Sequence, residues 1–123
     1  MKTLTMDDNL YSVPRETFEL LAQCVNKLCE FPEVELAEVA NRDGYAPGCA
    51  ITVYSGRFEH RIEIDGETRA VTLSMTKLDD AAVHSVFSGP SDEERVWLQI
   101  ACLILTSEGY TEEVETLRAC GFE

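Results

Sequence analysis

The sequence predicts an α+β layer fold, an antiparallel meander of three or four strands flanked by an N-terminal helix and two or three C-terminal helices. Three observations carry this expectation. Residues 15–30 place apolar side chains at helical spacing, residues 51–76 alternate apolar with polar ones, and residues 96–105 are apolar on nearly every helical face. With 123 residues, 45% of them hydrophobic, the chain suits one globular domain over 1–123, with 1–11 a candidate flexible segment.

From Arg15 to Glu30, Phe18, Leu21, Ala22, Val25, Leu28 and Cys29 recur three and four apart, with Glu16, Glu19, Gln23, Asn26, Lys27 and Glu30 between them. This is an amphipathic helix. Ser12 or Val13 before Pro14 suits its start, and Pro32 its stop. Residues 33–40 are ambiguous: their first half alternates like a strand, yet Leu36, Val39 and Ala40 also suit one helical face, and strand is slightly favoured. Residues 41–48 are rich in turn formers and read as a loop.

Ile51 and Val53, then Phe58, His60, Ile62 and Ile64, then Val71, Leu73 and Met75 alternate with polar neighbours, giving three strands. Ser55-Gly56 and residues 65–68 supply the turns. Asp79 is expected to cap a short helix through Ala81, Val83, Val86 and Phe87, ended by Gly89-Pro90. Ser91-Asp92-Glu93-Glu94 reads as a capping box for the apolar 96–105 helix, which packs across the sheet or in a dimer interface and stops at Gly109. Thr111 caps a last helix over 112–120 with a thin stripe of Val114, Leu117 and Cys120. The first helix and the 96–105 helix should cover the apolar sheet face, leaving the face of Glu59, Arg61 and Glu63 partly open as a candidate binding surface.

The five cysteines are odd in number and form no CxxC pair, which speaks against a disulfide framework or a zinc ribbon and for reduced thiols. Cys24, Cys29 and Cys102 lie in apolar helical patterns, where cysteine packs as a small hydrophobe. The N-terminus lacks an apolar run of leader length, and the 96–105 run is about half of what a bilayer span requires. A cytoplasmic location without membrane contact is the expectation.

Charge is the strongest functional lead. Asp and Glu number 23 against 10 Lys and Arg, a net charge of −13. Such a field repels nucleic acid and anionic membrane and attracts basic protein surfaces. Spread evenly over about 6,600 Å² of folded surface it amounts to one net charge per roughly 500 Å², whereas DNA carries one per about 1.7 Å of axis. Mimicry of nucleic acid therefore requires the acids to gather. Glu59, Glu63, Asp65 and Glu67 form one group, partly neutralised by Arg57, Arg61 and Arg69, and Asp79 with Asp80 another. Two groups contain no interleaved base: Glu30, Glu33, Glu35 and Glu38, and Glu108, Glu112, Glu113 and Glu115. With Tyr110, these are the candidate partner-binding residues, although a solvated acidic face with no partner explains the same pattern.

Among motif-borne chemistries, the phosphate loop, HExxH, GxSxG and the calcium loop are all missing from the sequence. His60 and His84 would have to meet a cysteine nucleophile in space, and His60 lies in the inward register of its strand, where a core histidine is expected. Glu63 and Asp65 read as a solvated strand end beside Gly66 rather than a catalytic carboxylate pair. Tyr45, Tyr54 and Tyr110 fall near turns, as contact residues or as turn packing. No catalytic residue, cofactor or metal is assigned.

The expected function is a small acidic binding protein that inhibits a partner by occupying a basic, nucleic-acid-binding surface. Small acidic anti-restriction and anti-CRISPR proteins offer an analogy of charge and size, without a shared motif. A dimeric acidic chaperone or immunity-type protein is the alternative; secretion chaperones also place a helix before antiparallel strands, but return to strands where this chain turns helical. A small enzyme whose site is assembled across loops is the third.

Overall fold

The computed structural model describes residues 13–41, 48–77, 79 and 83–122. The expected flexible segment 1–11, Ser12, Tyr45 with most of its loop, Asp80 and Ala81 lie outside the described residues. Helix α1 (Arg15–Leu28) leads into five strands, β1 (Val34–Asn41), β2 (Gly48–Ser55), β3 (Phe58–Asp65), β4 (Ala70–Lys77) and β5 (Val83–Pro90), and the chain closes with α2 (Glu94–Ser107) and α3 (Thr111–Cys120). The strands form one antiparallel sheet in sequence order. The α+β class and the helices at both ends agree with the expectation, but the meander has five strands, not three or four.

Two strands account for the difference. Residues 33–40, the ambiguous segment, are β1, whose pairing with β2 slips between Leu36 and Glu38. The extra residue lets Leu36 and Val39 both lie against the core, which imitates helical spacing. The predicted helix over Val83, Val86 and Phe87 is the strand β5. So short an apolar run does not separate the two periods, and its β-branched and aromatic residues settle into a ladder with β4. Gly89-Pro90, expected to stop a helix, ends an edge strand, where proline costs no ladder bond.

The inner sheet face is built by the expected alternation. Ile51, Ile62 and Leu73 sit side by side across β2, β3 and β4 and are fully buried, as are Cys49, Ile64 and Val71. Helix α1 buries Phe18, Leu21, Cys24, Val25 and Leu28. Helix α2 packs against both α1 and α3 and buries seven of its fourteen residues, which explains a sequence apolar on most faces. Trp97, with no exposed surface, donates its indole N–H to the Ser91 carbonyl at 2.8 Å.

Two predicted caps do not form. The Ser91 N–H is held by the Arg69 carbonyl at 2.8 Å, and its own carbonyl is taken by Trp97, so the chain is still leaving the sheet there. Helix α2 opens only at Glu94, with Glu93 as an extended N-cap that makes no side-chain bond. Thr111 is likewise the first helical residue of α3, and Tyr110 holds the N-cap position without a side-chain bond. The β2–β3 turn is Gly56-Arg57, one residue later than expected, because Ser55 still pairs with Phe58.

Candidate functional site

Three connections meet at one end of the sheet: residues 29–33 between α1 and β1, the Gly56-Arg57 turn, and residues 108–110 between α2 and α3. The Gly56 N–H donates to the Glu33 carbonyl at 3.2 Å, which ties the hairpin tip to the first connection. Phe31 stacks at a tilt on Tyr110, ring centroids 4.8 Å apart, and the Tyr110 hydroxyl donates to Glu33 Oε2 at 3.4 Å. Those partners are 77 residues apart in sequence.

Glu108 closes the same end from below. Its Oε1 accepts from the Ser55 hydroxyl at 3.3 Å and from the Arg57 N–H at 3.4 Å. Its carboxylate lies over Gly56, so a Cβ at position 56 would overlap it, and the φ of +47° there also favours glycine. Partial desolvation and then the neighbouring carboxylates, first Glu33 and after it Glu108 and Glu113, raise the Tyr110 phenol above its ordinary value. A neutral phenol thus sits among three acids.

The predicted site residues divide. Glu33, Glu108, Tyr110 and Glu113 come together, drawing one acid from the first base-free group and two from the second. Glu112 stands beside them: with Glu113, Phe31, Leu117 and Lys27 it lines a groove of about 240 Å³. Glu30 pairs with Lys27 at 3.2 Å next to that groove. Glu35 and Glu38 lie elsewhere, on the outer sheet face opposite Tyr54 and Thr52. Glu115 is two residues, about 200° of helical rotation, from Glu113 and points away from the groove. Phe31, unmarked in the sequence reading, is the residue that carries the Tyr110 ring; its only sequence signal was an apolar residue left outside the α1 stripe, beside Pro32.

The open sheet face carries Tyr54, 39% exposed, in register between Glu35 and Glu59. Arg61 there pairs with Glu63 at 3.4 Å, so basic and acidic side chains partly cancel. Asp65 accepts from the Glu67 and Thr68 N–H groups at 2.8 and 3.2 Å, which makes it a turn-forming carboxylate.

Beneath Glu108 lies a buried Ser55–His60 contact. A hydroxyl has one proton; Ser55 gives it to Glu108, so His60 Nε2–H must donate to Ser55 Oγ, and His60 Nδ1 is left as a bare lone pair without a partner among the described residues. Burial pulls the imidazole down to about 4, so it is neutral at pH 7. A serine whose proton faces a carboxylate and whose histidine donates to it is not an activated nucleophile, and neither side chain reaches solvent. The trio fastens the hairpin to the α2–α3 corner.

Cys24, Cys29, Cys49 and Cys102 are buried, in agreement with packing roles, and Cys120 is exposed. Burial first of all raises the first four thiols, Cys49 to about 12. Native protein treated with a maleimide is therefore expected to take up one label, at Cys120, and unfolded protein five; mass spectrometry of the intact chain reads the number. Rapid labelling of a second native thiol would contradict this packing.

Among the described residues, no group of three His, Cys, Asp or Glu side chains is arranged to hold a metal ion, and no helix is long and apolar enough to cross a membrane. No protein-family model, curated protein or solved structure matches the chain, so its reading rests on its own residues.

Proposed function

We propose that the protein binds a basic protein surface through the acidic end built by Glu33, Glu108, Tyr110, Glu112 and Glu113, and blocks what that surface otherwise holds. The observation that carries this reading is the meeting, around Tyr110, of two acidic groups that are far apart in sequence. The groove beside them suits Arg or Lys: an aliphatic stem lies against Phe31 and Leu117 while the cationic head meets Glu112 and Glu113. A nucleic-acid-binding protein is the favoured partner class, since its basic surface already accepts an array of anionic oxygens. In this reading the protein acts in the cytoplasm, without cofactor, catalysis or direct contact with nucleic acid.

The test is a pull-down from bacterial lysate at low and high salt, with and without competing DNA, followed by affinity measurement on the captured partner. Capture should weaken as salt or DNA rises. Reversing both groove acids, Glu112→Lys with Glu113→Lys, is expected to weaken binding on the order of 100-fold, given the coupling typical of close charge pairs. Glu115→Lys, on the far side of α3, serves as the control and should change affinity little. Equal losses in the two variants, or capture indifferent to salt, would refute this face; a salt-resistant partner that does not handle nucleic acid would support the chaperone or immunity reading instead.

A further inference from the structure

We propose that Ser55 and His60 are positioning residues for the acidic end. A one-way chain of hydrogen bonds, from His60 Nε2–H to Ser55 Oγ and from the Ser55 hydroxyl to Glu108 Oε1, sets the Glu108 carboxylate in the orientation that meets a basic partner. This deepens the reading given above and rests on it. The support is built from the inside outward. Ser55 is the last residue of β2 and still pairs with Phe58, and neither Ser55 nor His60 has surface in contact with water. Glu108, half-buried at the end of α2, is the member of the trio that reaches solvent.

The direction of the chain follows from counting protons. A carboxylate can only accept, so the Ser55 proton is committed to Glu108 and the imidazole has to offer its own N–H to Ser55. One neutral tautomer satisfies this, the one with its proton on Nε2, and it leaves Nδ1 as the buried atom without a partner among the described residues. Glu108 is thereby held at one oxygen. Oε1 accepts from Ser55 at 3.3 Å and from the Arg57 N–H at 3.4 Å, while Oε2 lies over Gly56.

Stability alone does not account for a carboxylate in this place. Glu108 is the C-cap of α2, where the helix dipole disfavours an anion, and no basic residue stands in the last turn of that helix to offset it. The buried pair beneath it holds a charge where the local field opposes one, which is the arrangement expected when the charge itself is used. A glutamate without such anchors loses rotamer freedom each time it meets a partner; here part of that ordering is complete in the free protein. Ser55 therefore acts on binding through Glu108 and through no contact of its own.

Two measurements test this. On the native protein near neutral pH, a long-range proton–nitrogen NMR correlation of the His60 ring should show the proton on Nε2 and a bare Nδ1. Titration calorimetry with an oligoarginine peptide, at about 0.05 M salt, reads the positioning. Ser55→Ala is expected to weaken binding about fivefold and Glu108→Gln about tenfold. The double variant should lose no more than about tenfold, because the two residues act as one unit. His60→Leu, which removes the donor, should weaken binding more than His60→Gln, whose amide N–H can stand where Nε2–H stood. A ring protonated at Nδ1, an affinity that Ser55→Ala leaves unchanged, or losses that add in the double variant would each overturn the proposal. Native protein that ignores the peptide at low salt would remove the acidic end as a binding face, and with it any positioning role in binding, so the two failures are told apart.

Discussion

Trp97→Ala is expected to lower the free energy of unfolding by about 4 kcal/mol, within the usual range for aromatic truncation in a core. The indole is fully buried at the start of α2, where that helix meets the chain leaving β5, so its removal empties a volume with rigid walls. The loss does not end with the cavity. The indole N–H holds the Ser91 carbonyl, and Ser91 Oγ is already a buried polar atom without a partner among the described residues, so the variant leaves a second unsatisfied group beside the first. For a domain with typical stability of about 5–15 kcal/mol this is a large fraction of the whole. Urea unfolding of both proteins checks it; a shift under about 1 kcal/mol would mean that the site collapses around the smaller side chain. Trp97→Phe should recover most of the packing and not the hydrogen bond.

The second large effect is a loss of stability in acid that belongs to His60. Its folded value is about 4 against 6.5 for the free side chain, so below pH 6.5 the unfolded chain binds a proton that the native state refuses. The stabilisation is complete above pH 6.5 and is lost progressively as the pH falls from 6.5 to about 4. Over that window the shift corresponds to about 3 kcal/mol. The geometry gives the same sign, since a proton on Nδ1 would place a cation and a partnerless N–H in the core. The surface acids also titrate in acid, so the informative quantity is the difference between the native protein and His60→Gln, which lacks the ring and should lack this slope. An NMR titration placing the His60 ring near its ordinary value would dismiss the prediction outright.

Helix α1 and strands β2, β3 and β4 were legible in the sequence because each buries one face, and burial on one face writes its period into the residues. Strand β5 was not. It is exposed on most of its length, so no core imposes alternation, and Val83, Val86 and Phe87 fell by chance at helical spacing. Strand β1 was half legible for a different reason, its bulge at the point where the alternation breaks. Ser91 and Thr111 carried good capping chemistry, but tertiary bonds decide where α2 begins and Tyr110 precedes α3. At the acidic end, Glu33, Glu108, Tyr110, Glu112 and Glu113 could be named from charge and side-chain type. That Glu33 and Glu108 both neighbour Tyr110 while Glu35 and Glu38 lie on the outer sheet face depends on where three connections meet, and no local pattern records it.

The meander has a consequence for the order in which the chain can be assembled during synthesis. Every strand pairs with its sequence neighbour, so each hairpin can close as soon as its second strand has left the ribosome. The helices differ: Cys24 of α1 meets the Trp97 carbonyl across 73 residues. Until α2 has emerged, the oily side of a finished sheet has only α1 to shelter it. The helical segment that follows β5 is thus the lid on a structure whose base is already laid.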